Sequence, residues 1–274
     1  MRLSRITAYA SSLLLAATFA LTGASVAQAD QNSDQQAAAT GYVALGDSYS
    51  SGVGAGGYDS GSGACKRTSR AYPALWAAAH SPSSFNFTAC SGARTGDVLA
   101  NQLGPLGSGT GLVSLSVGGN DAGFSDVMTT CVLQSESTCL SRIAQARSYV
   151  ETTLPGNLDK VYTAISAKAP AAQVVVLGYP RFYKLGGGCL AGLSEKERGA
   201  INSAADFLNS TTAKRAADHG FTFGDVTSTF TGHEICSGNA WLHSVNWTNI
   251  GESYHPTAAG QSGGYLPVFS AAAS

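Results

Sequence analysis

The sequence is poor in charge. Lys, Arg, Asp and Glu make up 12% of its 274 residues, with 16 bases against 17 acids. So few cations leave no basic field for a phosphate backbone or an anionic membrane, and nucleic acid is excluded as an expected partner. A bilayer span needs about 20 consecutive apolar residues. The apolar stretch near the start, about Leu13 to Leu21, is too short and too interrupted by Thr, Gly and Ser to serve, so no stable membrane anchor is expected. No Cys-x-x-Cys pair occurs, which argues against a zinc site.

What the start of the chain does hold is an export pattern. Arg2 and Arg5 precede the apolar stretch, and Ala27-Gln28-Ala29 supplies an A-x-A cleavage site, so residues 1–29 read as a secretory signal. Its removal takes two arginines and no acids, leaving 14 bases against 17 acids and a formal charge of −3. Residues 30–40 are polar, Ala-rich and aperiodic, and are expected to be a disordered mature N-terminus. The remainder, 41–274, suits a single domain with an adequate core. Six cysteines, Cys65, Cys90, Cys131, Cys139, Cys189 and Cys236, behind an export signal predict three disulfides in an oxidising compartment. Spacing does not choose among the pairings, although Cys131 with Cys139 is the simplest local one.

Strand and helix patterns alternate along this region. The apolar run Tyr42–Leu45 ends at Gly46-Asp47-Ser48. A helix is expected over 69–78 with Ser69 as cap, then a strand through Phe85 and Phe87 that ends near Cys90-Ser91-Gly92. A third strand, 112–117, ends in Gly118-Gly119-Asn120-Asp121. Helical pattern fills 137–168 with a break near Pro155, and a buried strand covers 172–177. Ser194 and Glu197 form a capping box for a helix reaching His219, and 221–226 makes a fifth strand. The alternation predicts an α/β fold with a parallel sheet covered on both faces.

In such sheets ligands bind beyond the carboxyl ends of the strands, which is where Ser48, Gly92 and Asn120 fall. Gly-Asp-Ser is also a common turn tripeptide, but three successive strands ending in Gly plus a polar residue exceed what turns require. Ser48 needs a base, and His255 is the histidine with the most defined setting, since Pro256 biases it away from helical angles. The backbone N–H groups of Ser48 and Gly92 and the amide of Asn120 are the candidate oxyanion donors. Two other motifs are set aside. Gly52, Gly54 and Gly57 match a dinucleotide fingerprint, but no helix pattern follows them and the required acid is missing; they are expected to form a mobile loop beside the pocket. Gly260-Gln261-Ser262-Gly263-Gly264 matches a nucleophile elbow, yet no Asp, Glu or His follows Ser262, which therefore reads as a loop or helix-end residue.

Taken together, Gly46-Asp47-Ser48, the Gly92 loop, Gly118-Gly119-Asn120-Asp121 and Ser253-Tyr254-His255-Pro256-Thr257 resemble the four ordered blocks of the GDSL, or SGNH, hydrolases. With the cysteines and the stretch 89–97, the sequence is similar to the secreted Streptomyces-type lipases, esterases and phospholipases of actinobacteria. The resemblance implies a three-layer α/β/α flavodoxin-like fold with a five-stranded parallel sheet, no cofactor, and hydrolysis of lipid or small acyl esters by a monomeric, extracellular enzyme. It implies an acyl-enzyme on Ser48 with His255 as base, and the disulfides Cys65–Cys90, Cys131–Cys139 and Cys189–Cys236. One position departs from the family pattern: Glu252 stands where the family has Asp. The group orienting His255 is therefore either Glu252 or the backbone carbonyl of Ser253. Two other readings stay open at this level: a carbohydrate O-acetyl esterase using the same site, and a secreted non-catalytic binding module in which these blocks are turns.

Overall fold

The computed structural model describes residues 40–189 and 192–274. The expected signal segment 1–29 and nearly all of 30–40 lie outside the described residues. Five strands form one sheet: β1 (Gly41–Ala44), β2 (Phe85–Phe87), β3 (Thr110–Leu115), β4 (Gln173–Leu177) and β5 (Thr222–Gly224). Their order is β2-β1-β3-β4-β5 and every pairing is parallel. A parallel sheet is covered on both faces, so its central strands read as continuous apolar runs rather than alternating ones. Val174, Val175, Val176 and Leu177 of β4 are all buried, as is the whole of β1.

The helices are α1 (Ser48–Ser51), α2 (Tyr72–His80), α3 (Thr95–Asn101), α4 (Phe124–Leu133), α5 (Glu136–Thr152), α6 (Leu154–Lys168), α7 (Glu195–Asp218) and α8 (Leu266–Ala272). On one face α2 and α8 meet Tyr42 of β1: its ring stacks on Phe269 at 5.5 Å and meets the edge of Trp76 at 5.2 Å. Leu154, Leu158 and Ile165 of α6 are fully buried and, with α5 and α7, cover the other face. This is the three-layer flavodoxin-like arrangement. Its strand order reverses at β1, so the crevice between the ends of β1 and β3 is the switch point where ligands bind.

Two local expectations need correction, and one helix was not expected. Ser69 does not cap α2: the helix starts at Tyr72, and Pro73 occupies its first turn, where a missing N–H costs nothing. Phe85 and Phe87 are both half-buried, and the strand ends there instead of running on to Ala89. The helix α4 forms where the pattern is weak. Its valines and threonines are poor helix formers, and burial of Val127, Met128 and Cys131 along one side compensates. The capping box of Ser194 and Glu197 is present at the start of α7. Three disulfides, Cys65–Cys90, Cys131–Cys139 and Cys189–Cys236, join the described cysteines in sequential pairs.

Candidate active site

The chain leaves β1 through Gly46, whose φ of +122° is open to glycine, and a Cβ there would stand 2.5 Å from the carbonyl oxygen of Ser116. That close approach lets β1 and the end of β3 converge under the next turn. Asp47 then caps α1 by accepting from the N–H of Tyr49 at 3.0 Å, which places Ser48 as the first helical residue. The Asp47 carboxylate also accepts from Ser116 Oγ at 2.7 Å and from Tyr179 Oη at 2.5 Å. Burial raises its pKa to about 6, against the opposing pull of these donors. Gln102 adds a second brace: its amide accepts from the N–H of Gly46 at 2.7 Å and donates to the carbonyl of the same residue at 2.9 Å. Neither Tyr179 nor Gln102 belongs to a recognisable motif.

Ser48 Oγ lies 2.7 Å from His255 Nε2. The other ring nitrogen, Nδ1, is 3.0 Å from the carbonyl oxygen of Ser253. A carbonyl can only accept, so Nδ1 carries the proton and Nε2 presents a lone pair to the Ser48 hydroxyl. The reach from residue 253 to the ring of residue 255 depends on Tyr254, which adopts a left-handed φ of +67°. A non-glycine residue in that region is strained and needs outside support. Here Tyr254 has it: its carbonyl accepts from Tyr49 Oη at 2.7 Å and its N–H donates to the carbonyl of His243 at 2.9 Å. Glu252 makes its carboxylate bond elsewhere, accepting from Tyr58 Oη at 2.7 Å.

Burial of the imidazole drives the His255 pKa down to about 4, although the Ser253 carbonyl works in the opposite direction by favouring the charged ring. His255 is therefore neutral across the physiological range, the state a general base requires.

The candidate oxyanion donors converge on the same cleft, whose wall includes Ser48, Gly92 and Asn120. Asn120 Nδ2 donates one hydrogen to the carbonyl of Ala93 at 3.0 Å, leaving its second N–H for the cleft. Asp121 ties the same two loops together, accepting from the N–H of Thr95 at 3.0 Å and from Thr95 Oγ1 at 2.5 Å. Cys90 and Ser91 hold the Gly92 loop from below, donating to the carbonyls of Gly46 at 2.9 Å and Cys65 at 3.1 Å, and the Cys65–Cys90 disulfide lies between them.

From Ser48 a cavity of about 240 Å³ runs between α4, α5 and α7. Its walls are mainly apolar, with Val127 and Met128 from α4, Ile143 and Ala146 from α5, and Ile201 and Leu208 from α7, and Arg147 of α5 is the charged side chain these helices add. On α5 and α7 the lining residues recur at i, i+3 and i+7, as in Ile143, Ala146 and Val150 or Ile201, Ala204 and Leu208, which puts one stripe of each of these helices along the cavity. No group of three or more His, Cys, Asp or Glu suited to a metal ion occurs among the described residues.

The glycine run 52–57 is not the loose loop expected, nor does it line this cavity. Gly54 donates to Tyr58 Oη at 2.9 Å and accepts from His243 Nε2 at 2.8 Å, and a Cβ there would meet the carbonyl of Pro256 at 2.5 Å. Its glycines let the chain pass directly beneath the histidine loop. Ser262 stands exposed on a π-helical turn, Gly260–Tyr265, and donates to the carbonyl of Ala258 at 3.0 Å, far from any histidine bond.

Residues 44–262 match the model of the GDSL-like Lipase/Acylhydrolase family. Over 273 residues, covering all of both chains, the sequence is 73% identical to Lipase 1 of Streptomyces coelicolor. A crystal structure of phospholipase A1 from Streptomyces albidoflavus is 71% identical and superposes with a TM-score of 0.85, covering 86% of this chain and all of that one. An extracellular lipase of Streptomyces rimosus, also 71% identical, superposes with a TM-score of 0.83 over 85% of this chain and all of that one.

Proposed function

We infer the reaction from the premise that this chain belongs to the GDSL-like lipase/acylhydrolase family: it is a carboxylic-ester hydrolase that cleaves acyl esters of lipids. The observation that carries the lipid reading is the apolar cavity that starts at Ser48 and extends between α4, α5 and α7. An acetyl-only esterase has no use for a lining of Val127, Met128, Ile143, Ile201 and Leu208, whereas a fatty acyl chain buries itself against them.

Ser48 Oγ attacks the ester carbonyl carbon as His255 Nε2 takes its proton. The tetrahedral oxyanion accepts from the N–H groups of Ser48 and Gly92 and from Asn120 Nδ2. As the intermediate collapses, Nε2–H returns the proton to the departing alkoxide and the acyl group stays on Ser48. Water then attacks the acyl-enzyme with His255 again as base, and the carboxylic acid leaves. The Ser253 carbonyl orients the ring throughout and holds the Nδ1 proton, and Glu252 positions the loop through Tyr58. The export pattern and the three disulfides support action outside the cell.

A hydrolysis panel of triolein, phosphatidylcholine and p-nitrophenyl esters from acetate to palmitate, with Ser48→Ala as control, tests the reading. Turnover of long-chain esters that vanishes in Ser48→Ala is expected. Activity on acetate alone would exclude lipid acyl esters, and a fully active Ser48→Ala would exclude the serine mechanism.

A further inference from the structure

Four large apolar side chains stand open among the described residues, and three of them, Leu133, Trp247 and Ile250, share one place with exposures of 61%, 70% and 62%. They line a second groove of about 360 Å³. That groove shares Phe124, Met128, Gly251 and His255 with the acyl cavity, so the exposed patch and the cleft are continuous. Scattered exposed apolar residues are ordinary, but a contiguous set at the mouth of a cleft marks an interaction surface.

Charge narrows the choice of partner. Residues 235–251, which carry Trp247 and Ile250, contain no Asp, Glu, Lys or Arg, and neither do residues 127–135, which carry Leu133. Lys66 Nζ reaches Gly251 at the rim, but the segments that carry the three side chains add no charge of their own, so the surface offers little to an acidic or basic protein face and matches a lipid layer without net headgroup charge. Indole rings favour the boundary between hydrocarbon and water, having an apolar body and one N–H donor.

The patch is also held in place. Asn246 Oδ1 accepts from Thr248 N at 3.1 Å, Thr248 Oγ1 at 2.7 Å and Asn249 N at 3.1 Å, and the N–H of Asn246 donates to Ser253 Oγ at 2.9 Å. Trp247 thus projects from a braced turn on the same loop whose Ser253 carbonyl meets His255. Across the groove, the Cys131–Cys139 disulfide ties the end of α4 that bears Leu133 to α5. Seating such a surface demands little ordering of the chain.

We propose that Leu133, Trp247 and Ile250 form the face by which this protein seats on a neutral or zwitterionic lipid surface, with the mouth of the acyl cavity turned toward the lipid. The choice of lipid as occupant rests on the ester-hydrolase reading. The experiment compares the wild type with the triple variant Leu133→Ser, Trp247→Ser, Ile250→Ser in co-sedimentation with phosphatidylcholine vesicles and in turnover of dissolved p-nitrophenyl butyrate.

Vesicle-bound protein is expected to fall by about tenfold or more, because membrane affinity scales with the apolar area inserted. Turnover of the dissolved ester should stay within about twofold, because none of the three side chains meets the reacting atoms. Equal vesicle binding by both proteins overturns the proposal. So does wild-type binding that requires anionic lipid and disappears in salt, since charge would then carry it, and so does a dimer broken by the triple variant with no vesicle binding by the wild type. Ser48→Ala separates the two readings: it should sediment with vesicles like the wild type. A wild type that binds vesicles through the patch yet cleaves no ester refutes the hydrolase reading alone, and one that cleaves dissolved esters but binds vesicles regardless of the patch refutes this proposal alone.

Discussion

Ser48 sits at the end of a strand that is hydrogen-bonded on both sides, and buried side chains brace it: Asp47, Ser116, Tyr179 and Gln102. His255 sits in a stretch with no regular strand, and backbone groups brace it. Its carbonyl accepts from the N–H of His243, its own N–H donates to Glu252, and Nδ1 meets Ser253. The contrast teaches how a two-residue device can do without a third side chain. A nucleophile must be fixed against the oxyanion donors of two neighbouring strand ends, which sheet geometry supplies. A base must be fixed in ring orientation and tautomer, and a carbonyl held by a strained Tyr254 supplies both.

Outside the Ser48–His255 pair itself, the strand-end half should be the more sensitive to single side-chain loss. Asn120→Ala removes one of the proposed oxyanion donors and also the bond to Ala93, so kcat is expected to fall by about 10²–10³ with KM little changed. Steady-state kinetics on a soluble ester checks it. A change confined to KM would show that Asn120 serves ground-state binding instead.

The loop half predicts a pH profile. Burial favours the neutral imidazole and lowers its pKa to about 4, and the reaction needs that neutral form, so activity persists as pH falls until that range is reached. The acid limb of kcat/KM is expected near pH 4 rather than near the ordinary histidine value of about 6.5. A limb near 6 that disappears in Asp47→Asn would instead report the raised carboxyl of Asp47, which gains protons over that interval.

The same contrast explains what the sequence could reveal. That Ser48, Gly92 and Asn120 would share one cleft was legible because each is written as a glycine and a polar residue at a strand end, a local signal. The parallel sheet covered on both faces followed from alternating strand and helix patterns, whereas the strand order β2-β1-β3-β4-β5 is visible only in the structure. Tyr179 and Gln102 carry no local mark; they reach Asp47 and Gly46 only after β1, α3 and β4 come together. The conformation of Tyr254 was equally hidden, since nothing about a tyrosine announces a left-handed backbone. For that reason the sequence left Glu252 and the Ser253 carbonyl as equals. Glu252 looked like an orienting acid by position, and its partner Tyr58, remote in sequence, is what draws it away. The glycines 52–57 were misjudged for a related reason: their role is to admit His243 and Pro256 at close range, which only tertiary contact displays.

The central claim is that no carboxylate orients His255, and one comparison tests it: kcat/KM of Glu252→Gln beside that of His255→Ala on the same soluble ester. Glutamine keeps an acceptor for Tyr58, so Glu252→Gln is expected to retain activity within about fivefold, while His255→Ala should lose on the order of 10⁶-fold. Removing the acid of a serine-histidine-carboxylate triad costs about 10⁴-fold, and a loss of that depth in Glu252→Gln would contradict the account.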